Sequence, residues 1–257
     1  MNLTIPPHER YELKKKNSDY CVAVFVIDEG KRFHRQLKRM KPFSNAIDIV
    51  ISDGGSTDGS TDLDVLEKFG VNTLLIKRET GALGTQMRIA FAWALNRGYR
   101  GIVVIDGNNK DSVESILDFT DALEKGFDHV QGSRFIPGGV SENLPLSRWL
   151  GIKLLHCPLI KRAAGFAYTD TTNGFRAYSS RLLNCRKIEV FRKIFTGYEL
   201  HYYLAVKAPR LGFSTVEIPV KRRYPARGKV PTKIRTLGAN FSVIKKLFSV
   251  CAKRYDP

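Results

Sequence analysis

Ile47-Asp48-Ile49-Val50-Ile51-Ser52-Asp53-Gly54-Gly55-Ser56-Thr57-Asp58-Gly59-Ser60 runs from an apolar, β-branched stretch into a glycine-rich polar turn. The apolar part has the length of a strand and ends on Asp53. In an open α/β sheet, ligands bind just beyond the carboxyl ends of the strands. A carboxylate at that edge can accept hydrogen bonds from a base N–H or from ribose hydroxyls, and the glycines let the backbone approach a ligand closely. The same residues also suit an ordinary turn followed by a Ser, Thr or Asp helix cap. On this stretch alone both descriptions stand.

A second stretch repeats the arrangement. Residues 101–106 (GIVVID) are apolar up to Asp106, and Gly107-Asn108-Asn109-Lys110-Asp111 follows. An acid at a strand end can hold a divalent cation that bridges a nucleotide diphosphate. Here too a simpler description exists, with Asp111 and Glu114 as a capping box for the next helix.

Outward from these two runs the first half alternates strand and helix. Residues 21–27 (CVAVFVI), 72–78 (NTLLIKR) and 129–135 (HVQGSRF) are further expected strands. Helical stretches are expected at 31–40, 60–69, 83–96 and 112–125. Apolar strands alternating with amphipathic helices predict an α/β fold, a mostly parallel central sheet with helices on both faces. Beyond residue 140 the pattern predicts a helix over 146–166 interrupted at Pro158, then a short strand or turn at 172–178. It continues with a helix over 189–208, a strand over 214–223, a basic loop over 222–235 and a last helix over 236–253. In that last helix Leu237, Phe241, Ile244, Phe248 and Cys251 recur at helical spacing, which predicts a face packed on its own domain or laid on a membrane. The expected organisation is one domain over 1–235, made of two halves at 20–140 and 141–235. A C-terminal amphipathic helix at 236–257 completes it.

The net charge of +17 is unevenly placed. Residues 1–145 carry 19 Lys and Arg against 20 Asp and Glu, whereas residues 146–257 carry 23 against 5. The basic half predicts an anionic partner: nucleic acid, a membrane surface or a phosphate-bearing substrate. No recognised nucleic-acid module is present, so no nucleic-acid partner is expected. Cys21, Cys157, Cys185 and Cys251 form no paired motif, which predicts reduced thiols and neither a zinc site nor a disulfide framework. The N-terminal residues lack the apolar stretch of a secretory signal. No run of about 18 apolar residues predicts a transmembrane helix. The expected location is cytoplasmic, peripheral to the inner face of a membrane.

In their order and spacing these segments resemble the family 2 glycosyltransferases of the GT-A fold, nearest to the polyprenol-phosphate and dolichol-phosphate sugar transferases. The likeness covers roughly residues 20–235. Phe25-Val26-Ile27-Asp28-Glu29 stands where that family first contacts the nucleotide, and Asp53-Gly54-Gly55-Ser56-Thr57-Asp58 resembles its DDGSxD segment. Residues 78–90 (RETGALGTQMRIA) resemble its glycine turn leading into a helix. Gly132-Ser133-Arg134-Phe135 with Pro137-Gly138-Gly139 resembles its GSRY…PGG segment, and Asp170 to Arg176 (DTTNGFR) its D…SGFR segment. Glu217-Ile218-Pro219-Val220, then Arg227-Gly228-Lys229 and Lys233, resemble its EIP strand and basic acceptor loop.

The resemblance implies an inverting transfer of a sugar from a nucleoside-diphosphate sugar to a polyprenol-phosphate or glycan acceptor. It implies nucleotide-sugar contacts at Val26, Asp28, Glu29, Asp53, Gly54, Gly84, Asp106, Gly107 and Asn108. Catalytic roles fall on Asp106, Asp170, Arg134 and Arg176, and phosphate contacts on Lys110, Arg134, Arg176, Arg227 and Lys229. Asp170 is the base candidate for a hydroxyl acceptor, and an ion pair with Arg176 is its structural alternative. The family's DxDxQ metal motif reads here as Asp106, Asn108 and Lys110. Mg2+ or Mn2+ on Asp106 and Asn108 is the expected cofactor, with Lys110 as an alternative source of positive charge. Arg222 and Arg223 are expected on a solvated strand face, and His34, His156 and His201 as structural or surface residues. A nucleotidyltransferase and a non-catalytic nucleotide-sugar-binding protein are the competing functions.

Overall fold

The computed structural model describes residues 5–225 and 237–257, and the side chains from 241 onward in the second stretch. The strands are β1 (His8–Glu12), β2 (Tyr20–Val26), β3 (Asp48–Asp53), β4 (Thr73–Lys77), β5 (Gly101–Asp106), β6 (His129–Ser133), β7 (Val140–Glu142), β8 (Arg176–Ser179), β9 (Thr215–Pro219) and β10 (Lys221–Arg223). The α-helices are α1 (Lys31–Met40), α2 (Leu63–Lys68), α3 (Leu83–Asn96), α4 (Ile116–Glu124), α5 (Leu146–Leu150), α6 (Cys157–Ala164), α7 (Ser180–Leu183), α8 (Glu199–Arg210) and α9 (Leu237–Cys251).

Every residue of β2 is buried, which is why it reads as an unbroken apolar run. Its side chains alternate between two cores. Cys21, Ala23 and Phe25 join one with residues of α3, α6, α8 and α9. Tyr20, Val22, Val24 and Val26 join the other with residues of α1 and α4. Each Val or Ile fully buried there contributes about 1.5–3 kcal/mol, so the centre of the sheet is where the apolar runs must go. The helices follow the same logic. In α1, Phe33, Leu37 and Met40 form the buried stripe, with Gln36 buried beside them.

The eight-stranded sheet has the order β1-β4-β3-β2-β5-β8-β6-β9. Strands β4, β3, β2 and β5 are parallel, as expected. Two strands run antiparallel: β1, which was not expected, and β8, which falls at the short strand or turn expected over 172–178. β1 pairs with β4 at the edge. β8 inserts between β5 and β6, antiparallel to both. A separate parallel pair joins β7 and β10.

Several boundaries differ from expectation for physical reasons. The single strand expected over 214–223 is divided at Pro219, and the chain passes from β9 in the main sheet to β10 in the small one. The helix expected over 189–208 forms only from Glu199. Its carboxylate accepts hydrogen bonds from the N–H groups of Thr196 (2.6 Å) and Gly197 (2.5 Å), which holds the preceding segment in a turn. Before Pro158 the helix widens to a π-helical path over Gly151–His156, and the proline then sits in the first turn of α6, where its missing N–H is tolerated. On α9 the buried residues are Leu247 and Val250, whereas Phe241 and Phe248 are exposed. The packed stripe is therefore not the one expected. Lys246 reaches Glu199 at 2.6 Å and fixes the helix's rotation. No helix among the described residues is long and apolar enough to cross a membrane.

Candidate active site

The strand register sets the site. Val26 of β2 lies opposite Asp53 of β3, and Phe25 lies opposite Asp106 of β5. Asp53 and Asp106 therefore end their strands at nearly one level with β2 between them, roughly 10 Å apart at the strand spacing. This is the carboxyl edge where an open α/β sheet receives ligands.

Two glutamines pin that edge from the helices beneath it. Gln86 of α3 donates to the carbonyls of Val26 (3.1 Å) and Ser52 (2.7 Å). Gln36 of α1 donates to the carbonyl of Asp106 (2.9 Å) and accepts from Asn109 N–H (2.7 Å). Both are buried amides inside otherwise apolar helix faces, and that is the one signal by which the sequence could have revealed them.

The loops after β2 and β3 are laced together. Asp28 accepts from Thr57 N–H at 2.8 Å, and Asp58 accepts from Gly30 N–H at 2.9 Å. Asp53 is buried and fully engaged. Its carboxylate takes hydrogen bonds from Gly55 N–H, Ser56 N–H, Ser56 Oγ and Thr61 Oγ1. Asp53 thus shapes its own loop. Glu29 pairs with Arg32 at 2.9 Å. Gly54 packs against Ile27, with room for a Cβ only at 3.1 Å. The N–H of Gly107 donates to Phe25 O at 2.8 Å. Gly84 lies in the first turn of α3, two residues before Gln86. A Cβ there would fall 2.7 Å from Gly197 N, so the glycine serves close packing of α3 on the loop before α8.

Around Asp106 the charges are arranged as no local motif indicated. Asp106 Oδ2 receives Asn108 Nδ2 (3.3 Å) and Arg222 Nη2 (3.3 Å). Arg222 also binds Asp111 through Nη1 at 2.6 Å. Asp111 is therefore an ion-pair partner and not a helix cap, and Arg222 is buried rather than on a solvated face. Arg223 is solvated and pairs with Glu142. The loop carrying Lys110 is sewn to β10: Arg223 N–H donates to Lys110 O at 2.9 Å, and Ser112 N–H to Lys221 O at 2.9 Å. Burial, reinforced by the charge of Arg222, pushes the Lys110 ammonium down to about 8.

A second buried charge pair lies beside this cluster. Arg134 binds Asp170 through Nε (2.6 Å) and Nη2 (2.9 Å), and also reaches Tyr224 OH and Thr172 Oγ1, each at 2.8 Å. Burial alone would raise the Asp170 carboxyl, yet the charge and hydrogen bonds of Arg134 hold it below its ordinary value. Its partner is thus Arg134, not Arg176, and a carboxylate so occupied is a poor proton acceptor. Arg176 is buried and donates to the carbonyls of Thr171, Asn173 and His201. Its guanidinium is thereby engaged in holding the loop before β8. Glu217, opposite Gln131 in the sheet, accepts from the N–H groups of Thr169 and Asp170 and so sets that loop's position. Arg227, Lys229 and Lys233 lie outside the described residues.

No family model matches the chain. Polyprenol monophosphomannose synthase of Mycolicibacterium smegmatis is 31% identical over 177 residues, covering 68% of this chain and 66% of that protein, a little under two thirds of its length. Undecaprenyl-phosphate mannosyltransferase of Micrococcus luteus is 29% identical over 191 residues, covering 72% of this chain and 75% of that protein. The chain belongs to the family 2 glycosyltransferases of the GT-A fold. Its fold matches glucosyl-3-phosphoglycerate synthase of Mycobacterium tuberculosis with a TM-score of 0.65 at 14% identity, over 91% of this chain and 79% of the other. Structures of that synthase hold UDP with Mn2+ or with Mg2+.

In this chain the segment matching the family's metal motif fits a divalent ion poorly. Asp106 and Asn108 would be its protein donors, and Asp106 Oδ2 is already shared by Arg222 and the Asn108 amide. The third position is a cation, Lys110. No group of three acidic, His or Cys side chains suited to a metal occurs among the described residues. Two unit charges about 4 Å apart repel by about 4 kcal/mol at a protein-surface dielectric, and a divalent ion beside a guanidinium meets about twice that.

Proposed function

We propose that this glycosyltransferase moves a sugar from a nucleoside-diphosphate sugar to a polyprenol-phosphate acceptor, with inversion at the anomeric carbon. The observation that carries it is the shared level of Asp53 and Asp106 at the sheet's carboxyl edge, with Arg222 and Lys110 beside Asp106. The interlaced loops after β2 and β3 would hold the nucleoside, with Val26, Asp28, Glu29, Gly54 and Gly107 at its rim. The diphosphate would lie toward Asp106, Asn108 and Lys110. Residues 20–140 form the donor half and residues 141–235 the acceptor half.

In the reaction an acceptor oxygen attacks the anomeric carbon. The bond from that carbon to the diphosphate breaks, and the electron pair leaves with the nucleoside diphosphate. The developing negative charge is what the site must offset, and fixed cations placed there lower the barrier. A lipid-phosphate oxygen is already anionic and needs no base. A saccharide hydroxyl would need one. The occupation of Asp170 by Arg134 therefore supports the phosphate acceptor. Mg2+ or Mn2+, expected from the resemblance, would add countercharge to the diphosphate. None of these steps requires it.

The acceptor side also suits a lipid. Leu146, Trp149, Leu150 and Leu154 are exposed on one helical stretch. Arg148, on the same stretch, places its guanidinium 5.8 Å from the ring centre of Tyr224, the phenol that binds Arg134. Apolar side chains beside a cation at the site's mouth match a polyprenyl chain and its phosphate. With the basic C-terminal half they also match peripheral attachment at the inner face of an anionic membrane, where each basic residue near the surface contributes about 1 kcal/mol.

The test is transfer of labelled sugar from UDP-, GDP-, CDP- and dTDP-sugars into detergent-solubilised undecaprenyl phosphate. One donor should give an organic-extractable labelled lipid and free nucleoside diphosphate. Label appearing only in an added saccharide would move the acceptor to a glycan, and no transfer from any donor would remove the proposal.

A further inference from the structure

In this family a DxDxQ motif would bring two carboxylates to a dication, a neutral set. Here Asp106 and Asp111 face Arg222 and Lys110, and the four charges again sum to zero. The cationic part has been moved from an exchangeable ion into side chains. Arg222 lies 3.3 Å from Asp106 Oδ2, where a cation bound to that oxygen would sit.

The placement is built in. Arg222 lies on β10, which pairs with β7 on one side. On its other side β10 bonds to the loop after β5, through a bridge between Arg222 and Asp111 and through the Arg223–Lys110 and Ser112–Lys221 backbone bonds. The strand therefore carries the guanidinium into the site on fixed backbone. Asp111, buried on the opposite side, holds it there at 2.6 Å. Asn108 in place of an acid, and Lys110 in place of an amide, remove the ligands a hard dication needs and add positive charge. A planar guanidinium presents paired N–H donors that match phosphate oxygens.

We infer that Arg222 and Lys110 take the place of the divalent ion, so that the nucleoside diphosphate of the donor binds and leaves without metal. This rests on the donor-binding role proposed above and assigns its countercharge to this chain's own residues. Arg222 then serves twice, holding Asp106 in the empty enzyme and turning donors toward the diphosphate when substrate arrives.

The experiment is calorimetric titration of the full chain with UDP, GDP and CDP, each in EDTA and in Mn2+, beside electron paramagnetic resonance of Mn2+ in the same mixtures. One nucleotide should bind with affinities within twofold in the two buffers. The protein should deplete the free Mn2+ signal no further than the nucleotide alone does. Arg222→Gln should weaken binding in EDTA at least tenfold, with circular dichroism confirming its fold. The Asn108→Asp, Lys110→Gln double variant, which restores the acidic motif, should bind nucleotide at least tenfold better in Mn2+ than in EDTA. Binding by the unaltered chain only in Mn2+ overturns the inference while leaving donor binding intact. Binding of no nucleotide in either buffer overturns the donor-binding role itself, and the inference with it.

Discussion

Arg134 and Asp170 form a two-pronged ion pair sealed from solvent, Nε to Oδ2 at 2.6 Å and Nη2 to Oδ1 at 2.9 Å. A buried pair of this kind is worth little against two apolar side chains, but removing one partner strands the other charge. Arg134→Ala should therefore destabilise the fold by about 3–5 kcal/mol, read as a lower urea midpoint at unchanged slope. Asp170→Asn should also cost stability. It should leave the folded fraction able to transfer sugar to a phosphate acceptor, which is already anionic and needs no base. Loss of transfer in a folded Asp170→Asn enzyme would return the base role to it.

Acid should weaken the fold well above the carboxylate range. Burial lowers His156 to about 4, and lowers His129 and His201 well below their ordinary value. A histidine kept neutral in the folded chain binds a proton more readily when unfolded. Its contribution is whole above the unfolded pKa of about 6.5 and is lost as pH falls from there toward the folded value. For His156 alone the loss approaches about 3 kcal/mol at about 1.4 kcal/mol per pH unit. Denaturation midpoints measured from pH 7.5 to 4.5 should hold nearly level down to about pH 6.5 and fall below it, more gently in His156→Phe.

Charge placed on the exposed helical face should separate membrane binding from folding. Leu146 and Leu154 are 70% and 71% exposed, so Leu146→Glu with Leu154→Glu should leave the melting temperature nearly unchanged. The double variant should co-sediment far less with vesicles containing phosphatidylglycerol. Equal sedimentation of variant and parent would remove this face as the lipid contact.

Gly84→Ala should behave as a packing lesion. Its Cβ would lie 2.7 Å from Gly197 N and 2.8 Å from Gly197 O, both backbone atoms with little freedom to yield. A cost of about 1–3 kcal/mol is expected, from overpacking alone. Nucleotide affinity of the folded fraction should be unchanged.

The donor edge was legible in the sequence for a physical reason. Parallel strands buried on both faces must be apolar nearly throughout, so β2, β3 and β5 announce themselves, and Asp53 and Asp106 mark where the strands end. β1 was not legible, because an edge strand of the composition His8-Glu9-Arg10-Tyr11-Glu12 buries almost nothing. Arg222 was misjudged because two arginines in a polar strand look solvated. Its partners Asp106 and Asp111 lie more than a hundred residues earlier in the chain. A separation of 36 residues likewise hid Arg134 as the partner of Asp170, while the nearer Arg176 looked the better match. On α9, Phe241 and Phe248 drew the predicted stripe toward the most apolar side chains, yet Leu247, Val250 and the Lys246–Glu199 contact orient the helix.

The most direct measurement is the electron density of a bound nucleoside diphosphate. The nucleoside should rest against the loops that follow β2 and β3, with diphosphate oxygens within hydrogen-bond reach of Arg222 and Lys110 beside Asp106. A nucleotide seated elsewhere, with the Asp106–Arg222–Asp111 bridge undisturbed and remote from its phosphates, would contradict the account.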